Sequence, residues 1–401
     1  MPDKIICVHI GARAHYLLPA ALASQQKLEA VITDTWVKKA WIRKMLAKFP
    51  LRLVKSFSNR YNPALAAANI QHFSISFLFT ELLLRLRRKG EWDLIIARNE
   101  AFQKKALPVF LQLPATTVLG TSYTSLIVFT AAAERGQKKI LFQIDPGLKE
   151  EKIVAAITAA NAASFPTSWQ KAPASYWEDW RKECLLSDII MVNSEWSRQG
   201  LIEEGIEAAK IKIVDLPYQV RDQHLHFNRI YPAAFTPERP LRCLFLGTLT
   251  LRKGIHIVLE TARLLEALPV EFVIVGHSEI NEALLGAANI KYRGLATRAE
   301  TDNFYREADV FLFPTLSDGF GLTQLEAMAW QLPVIASRFC APVVQHGKNG
   351  IALQENTPQA LAAVITDFIQ HPEQLKALSV NGLATAQQYN TTRFARELVN
   401  L

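Results

Sequence analysis

Short apolar runs rich in β-branched residues alternate with longer stretches of helical periodicity along the whole chain. In the first half these runs cover 5–10, 28–33, 94–97, 117–120, 139–144, 189–193 and 211–214; in the second half they cover 241–247, 271–276, 290–293, 310–314 and 333–337. Runs that are apolar on both faces predict parallel strands covered by helices on each side. Their alternation with helical segments predicts an α/β protein with a doubly wound sheet, and the pattern occurs twice. Between the two halves, residues 217–240 hold Pro217, Pro232, Pro237 and Pro240 among many polar residues, which reads as a linker. The expected organisation is a Rossmann-like domain at 1–220, a linker at 221–240 and a second Rossmann-like domain at 241–385. A short amphipathic helix at 386–401 would be free to pack back on the first domain. Open parallel sheets bind ligands beyond the carboxyl ends of their strands. Two such domains facing each other make a cleft with one substrate held on each side, an arrangement for group transfer.

Composition narrows the class. A length of 401 residues suits two domains. With 50% apolar and 20% charged residues, disorder and coiled coil are excluded. The net charge of +8 is unevenly placed: residues 1–100 hold 16 Lys and Arg against 7 Asp and Glu, and residues 241–401 hold 13 against 15. Between Asp34 and Glu81 there are eight basic residues and no acidic one. Within that segment, residues 35–49 repeat Val37, Trp41, Met45 and Phe49 every four positions, with Lys38, Lys39, Arg43, Lys44 and Lys48 mostly on other faces. This predicts a basic amphipathic helix suited to an anionic membrane or acceptor surface; the alternative is an ordinary helix packed on the sheet. Arg52, Lys55 and Arg60 continue the run, and Arg85, Arg87, Arg88 and Lys89 extend it. No nucleic-acid recognition motif accompanies the charge, so nucleic acid is not an expected partner. The four cysteines, Cys7, Cys184, Cys243 and Cys340, are far apart and show no metal-ligand spacing, which points to a reducing compartment. The first residues lack a signal-peptide pattern, so a cytoplasmic protein at the inner membrane face is expected.

Two blocks carry the chemistry. In 310–337 a strand ends at Pro314, a polar loop leads to Asp318, and Gly319-Phe320-Gly321 opens a helix from Leu322 that contains Glu326. Glycines admit a ligand to the backbone, and a helix N-terminus favours an anion. Asp318 also fits as a plain N-cap and Glu326 as a solvated helix position. In 246–254, Gly247 ends a strand, Thr248 follows, and Arg252 and Lys253 stand at the entry of the next helix. Cations there oppose the positive helix end unless an anion shares the site, and a diphosphate would be such an anion; a solvated basic turn is the plainer reading.

Together these blocks resemble the C-terminal domain of the family 4 glycosyltransferases, the retaining glycosyl transferases group 1 with the GT-B fold. The family's Glu-x7-Glu motif corresponds to Asp318 and Glu326, and its Lys-Gly to Lys253-Gly254. V-I-V-G at 273–276, Y-R-G-L at 292–295 and A-D-V-F-L-F-P at 308–314 match its nucleotide-side strands, and 184–206 matches its last N-domain strand and helix. The resemblance implies two facing Rossmann-like domains and a retaining transfer from a nucleotide-diphosphate sugar, with no metal or other cofactor, to a glycan or lipid-linked acceptor in cell-envelope or exopolysaccharide synthesis. It implies that Lys253 and Arg252 bind the diphosphate and that Glu326 holds the ribose. Asp318 and the amides of Gly319, Phe320 and Gly321 would meet the sugar, with Leu322 opening the helix behind them. Gly247, Thr248 and Gly276 would line the donor site, and Gly294 and Leu295 would lie near the base. Departures from the pattern are Asp318 for the usual Glu, Thr248 where many members carry Arg, and Gln143 or Asp145 where a His is frequent. Asp145 is then a candidate to orient the acceptor hydroxyl. The N-terminal glycine loop is reduced to Gly11-Ala12-Arg13-Ala14-His15, with Gly11 the position for close ligand approach. An epimerase on the same fold and a non-catalytic sugar-nucleotide-binding protein are the competing readings.

Overall fold

The computed structural model describes residues 4–49, 54–55, 57–86 and 90–401. Arg52, Arg87, Arg88 and Lys89, read above as part of the basic patch, lie outside them. Strands β1 (Ile5–His9), β2 (Leu28–Thr33), β3 (Ile70–His72), β4 (Thr117–Thr121), β5 (Lys138–Phe142), β6 (Ile189–Val192) and β7 (Ile211–Ile213) form one sheet in the order 3-2-1-4-5-6-7. Strands β8 (Leu241–Leu246), β9 (Val270–Val275), β10 (Ile290–Tyr292), β11 (Val310–Phe313), β12 (Val334–Ala336) and β13 (Gly350–Ala352) form the other, in the order 10-9-8-11-12-13. Every pairing is parallel; in the first sheet Val8 faces Ile32 on one side and Gly120 on the other. The central strands are buried on both faces, as helices on either side require: β1, β4 and β11 have no exposed residue. The order reverses beside β1 in the first sheet and beside β8 in the second, which puts one topological switch point on each side of the cleft.

Four elements differ from the sequence expectation. Residues 94–97 are not a strand; they lie inside the helix Glu91–Gln112. A four-residue apolar run does not distinguish the two states, and here Glu91 and Asp93 in the first turn favour the helix. β3 and β13, three residues each, are too short to leave a pattern. The basic helix spans only Ala40–Ala47, because residues 35–39 lie outside any helix while Trp36 packs between Tyr16 and Tyr61. The plainer alternative of a helix packed on the sheet does not describe it. None of its residues is buried, and Trp41 is 63% exposed and Met45 51%. The helix Ser74–Leu86 likewise presents Ile75, Phe79, Leu82 and Leu86 outward. Among the described residues no helix is long and apolar enough to cross a membrane, and all four cysteines are buried free thiols.

The stretch joining the sheets is pinned. Arg229, 8% exposed, donates to the carbonyls of Tyr305 (2.6 Å), Trp330 (2.8 Å), Gln331 (2.9 Å), Arg306 (3.3 Å) and Ala308. These carbonyls close the helices Arg298–Glu307 and Leu322–Ala329, where a cation complements the helix end. Arg239 adds a two-pronged pair to Asp309, at 2.7 Å for each prong. The last helix, Thr391–Val399, lies against the helix Leu17–Ser24 and buries Phe394, Ala395 and Leu398. Leu18 and Leu22 share one apolar cluster with Phe394 and with Leu325 and Met328 of the second unit. Arg229→Met strips donors from several buried carbonyls at once. It should lower the stability read by urea unfolding by on the order of 3 kcal/mol, whereas Arg198→Met, at an exposed ion pair with Glu195, should leave the midpoint unchanged.

Candidate functional site

The carboxyl ends of β8 and β11 meet those of β5 and β6 across the cleft. After β8 the chain turns through Thr248 to Arg252 and Lys253, which enter the helix Ile255–Leu264. After β11 it runs through Ser317 to Asp318 and the helix Leu322–Ala329. Lys253 Nζ forms an ion pair with Asp318 Oδ2, and the Asp318 carboxylate also accepts the backbone N–H of Phe320. Burial works to raise the Asp318 carboxyl, but Lys253 and Arg252 outweigh it and hold the group below the usual carboxylate range. Arg252 Nη1 donates to the Ser317 carbonyl at 2.9 Å and lies 3.5 Å from Glu150 Oε2. Burial works against the charged guanidinium, and Glu150, Asp318 and Asp145 more than offset it.

Glu150, which sequence reasoning missed, comes from the other unit. It sits in the first turn of the helix Leu148–Ala160, a position that reads as an ordinary complement to the helix end. In the structure its Oε2 accepts the Ser317 hydroxyl at 2.8 Å, and Ser317 Oγ accepts the Trp196 indole N–H at 3.2 Å. Burial raises the Glu150 carboxyl to about 7 against the opposing pull of Arg252. Gly319 closes the same seam: a Cβ there would stand 2.3 Å from the Ile144 carbonyl oxygen, so only glycine lets the two strand-end loops touch. Gly321, at φ +82°, begins the helix where a Cβ would strike the Phe313 ring at 2.5 Å.

A cavity of about 470 Å³ opens beside this seam and brings together four of the candidate donor residues, Gly247, Thr248, Gly276 and Leu295, with Glu279 and Thr301. Gly294 braces the wall, its carbonyl accepting the Gly276 N–H at 2.8 Å. Glu326 does not line the cavity. Tyr305, one turn after Thr301 on the helix Arg298–Glu307, donates its hydroxyl to Glu326 Oε2 at 2.9 Å. Phe320 is 2% exposed and serves the core beside Tyr389, and Leu322 is half-buried. Gly11 stands at the end of β1 with its N–H donated to Asp34 Oδ1 at 2.8 Å, and it lines neither this cavity nor its neighbour. The loop after it holds Ala14, His15 and Tyr16 at φ +45°, +51° and +61°, and Arg13 Nη1 is buried with no hydrogen-bond acceptor among the described residues.

A second cavity, about 360 Å³, shares Thr248 and Glu279 with the first and crosses to Asp145 on the other unit. Asp145 Oδ1 accepts the Tyr123 hydroxyl (2.6 Å), the Gln143 amide (2.7 Å) and the Gly147 N–H (2.9 Å). Lys38, Lys39, Trp41, Lys44 and Lys48 are exposed on the first unit, away from these cavities. Arg43 departs from that group. It folds back to the carbonyls of Val37 (2.9 Å) and Lys38 (2.6 Å) and over the Tyr61 ring. Among the described residues no group of three or more His, Cys, Asp or Glu is placed to hold a metal ion.

Residues 240–371 match the family model of the glycosyl transferases group 1. The amylovoran biosynthesis glycosyltransferase AmsK of Erwinia amylovora is 26% identical over 201 residues, covering 46% of this chain and 48% of that protein. The chain thus spans about half the length of the curated relatives it matches. Over nearly the whole chain the fold is that of two solved proteins. HepE of Anabaena, in complex with UDP, has a TM-score of 0.64 at 15% identity and covers 99% of this chain and 98% of its own. The sucrose-phosphate synthase of Thermosynechococcus elongatus has a TM-score of 0.68 at 14% identity and the same coverage. Residues 240–371 thus match the model of the glycosyl transferases group 1, and the two facing parallel sheets of the chain form the GT-B fold.

Proposed function

We propose that the protein is a retaining, metal-independent glycosyltransferase of the hexosyltransferase class. It moves a sugar from a nucleotide-diphosphate sugar to a glycan or lipid-linked acceptor in cell-envelope or exopolysaccharide synthesis. The observation that carries this reading is the pairing of Lys253 with Asp318 and of Arg252 with Glu150, Arg252 lining the cavity that shares Thr248 and Glu279 with the one gathering Gly247, Thr248, Gly276 and Leu295. Two cations at a helix entry, each paired with a carboxylate, suit the negative charge that grows on a departing nucleoside diphosphate, and fixed donors stabilise it without reorganising. The relative from Erwinia supports a polysaccharide product, and the complex of HepE with UDP supports a nucleotide donor.

In this reading the diphosphate takes the place of Asp318 and Glu150 on the two cations. The released Asp318 turns to the sugar hydroxyls. Glu326, held by Tyr305 outside the lining of the open cavity, reaches the ribose once the donor is seated. Asp145, fixed by three donors to Oδ1 and lining the second cavity, has Oδ2 left for the acceptor hydroxyl. Retention follows from attack on the face the diphosphate leaves, with a phosphate oxygen accepting the acceptor's proton. The outward apolar faces at Trp41 and Met45 and at Ile75 and Phe79, next to Lys38, Lys39, Lys44 and Lys48, favour a cytoplasmic protein held at the inner membrane face.

Three outcomes test this. Lys253→Ala removes a charge-assisted contact and should weaken UDP binding about ten- to a hundredfold by calorimetry, with sugar transfer lost; unchanged binding across UDP, GDP and ADP sugars sinks the donor site. Glu150 is ionised above about pH 7 and protonated below it. Ionised Glu150 competes with the diphosphate for Arg252, with Asp145 and Asp318 adding negative charge around it. Wild-type affinity for UDP should therefore gain on Glu150→Gln as pH falls from 8 to 6, and identical pH profiles would refute the competition. Exchange of Lys38, Lys39, Lys44 and Lys48 for Gln should reduce partitioning onto phosphatidylglycerol vesicles by at least about tenfold, with folding unaffected by circular dichroism.

A further inference from the structure

The second cavity has an unusual wall. Trp92, Tyr123, Trp169, Tyr176 and Trp177 all line it on the side of the first unit. Trp92, Trp169 and Tyr176 belong to no buried apolar cluster; they are half-buried, with part of each ring open to the cleft. Yet they are held firmly. The Trp92 indole N–H donates to the Gln170 carbonyl at 3.0 Å, and the Trp177 N–H to Glu151 Oε1 at 2.8 Å. Glu151 Oε2 in turn accepts the Ala172 N–H at 2.6 Å, which ties the segment carrying Trp169 to the helix Leu148–Ala160. Tyr176 stacks on Tyr123 with ring centres 5.0 Å apart and planes 18° from parallel, and Trp92 at 5.0 Å and Trp177 at 5.2 Å are its other ring neighbours. Rings fixed by indole N–H bonds at Trp92 and Trp177 and by ring packing at Tyr176, and left open to a cleft, are a binding platform already paid for in entropy.

The polar groups of the cavity specify the rest. Asp145, Glu150 and Glu151 line it from the first unit and Glu279 from the second. Arg252 is paired with Glu150, and Arg13 stands behind near Asp145 and Tyr176. Arg252 lines the cavity at its donor end, where the diphosphate would take it up, so a second anionic ligand would meet mainly carboxylates. A sugar ring suits both features: its C–H face carries slight positive charge and lies against the negative face of an aromatic ring, while its hydroxyls donate to carboxylates. The volume, about 360 Å³, is within the range of small-ligand sites and holds one or two sugar units.

We infer that this aromatic wall is the acceptor subsite and that its ligand is the uncharged saccharide end of a glycan, not a phosphorylated head group. The inference rests on the proposed sugar transfer and narrows its acceptor. Asp145 sits at the junction, between the wall and the shared Thr248 of the donor cavity, so its free oxygen is where the acceptor hydroxyl would be held. The lipid or membrane-proximal part of a longer acceptor would lie outside this cavity, toward the basic first unit.

Tryptophan fluorescence of the full chain is titrated with uncharged gluco-, galacto- and manno-oligosaccharides, with the same saccharides bearing a terminal phosphate, and separately with UDP. The expected result is saturable quenching by an uncharged oligosaccharide, weakened at least tenfold in Trp92→Ala and Tyr176→Ala and largely restored in Tyr176→Phe, with UDP affinity within twofold of wild type in all three. Preference for the phosphorylated saccharide, no saccharide binding by protein that binds UDP, or binding that survives both alanine variants overturns the inference and leaves the donor reading standing. Loss of UDP binding in the wild-type chain overturns the donor reading, while the oligosaccharide arm still decides this one.

Discussion

Two cations at the head of one helix set the terms for this molecule. Lys253 and Arg252 stand where the helix Ile255–Leu264 begins, an electrostatically poor place for positive charge. They are stabilised by carboxylates from two directions: Asp318 from the adjacent strand-end loop, and Glu150 from the opposite unit. A partly buried cation without a partner is destabilising, so each of the two favours an anion beside it. A carboxylate and a diphosphate oxygen are interchangeable partners in this respect. That equivalence makes the Arg252–Glu150 pair a tie between the units and, in the proposed reaction, both pairs the seat of the leaving group.

The surrounding architecture serves that seam. Both sheets reverse their strand order beside their first strand, which directs both sets of carboxyl-end loops into one cleft. Gly319 lets the loop after β11 come to the Ile144 carbonyl, and Trp196 and Ser317 extend the contact toward Glu150. Farther out, Arg229 locks the connecting stretch to helix ends of the second unit, and the terminal helix returns to the first. The units are thus joined behind the cleft by apolar packing and within it by charge. Packing resists exchange of partners; an ion pair between polar groups permits it.

Much of this was legible from residue order. The alternation of apolar runs gives the two parallel sheets, because a strand covered on both faces has no polar alternation to confuse it. The block from Asp318 to Glu326 and the pair Arg252-Lys253 could be picked out because glycines and charges at helix entries are locally meaningful. What failed was either too short or too distant. β3 and β13 hold three residues each, and 94–97 is apolar without being a strand. Glu150 looks like any acid in a first helical turn; its role appears only when a helix 167 residues away in sequence from Ser317 is brought within hydrogen-bond reach. The aromatic wall is scattered over 92–177, with no period to announce it. The basic helix was readable as basic and amphipathic, but its true length depended on Trp36 choosing the core.

The central claim is that a nucleoside diphosphate replaces carboxylates on Lys253 and Arg252. A crystal structure of the chain with an intact nucleotide sugar tests it directly. The account predicts phosphate oxygens within hydrogen-bond distance of Lys253 Nζ and the Arg252 guanidinium, with Asp318 turned to the sugar and Glu150 released from Arg252. A nucleotide bound elsewhere, or bound with both carboxylate pairs intact, would contradict it.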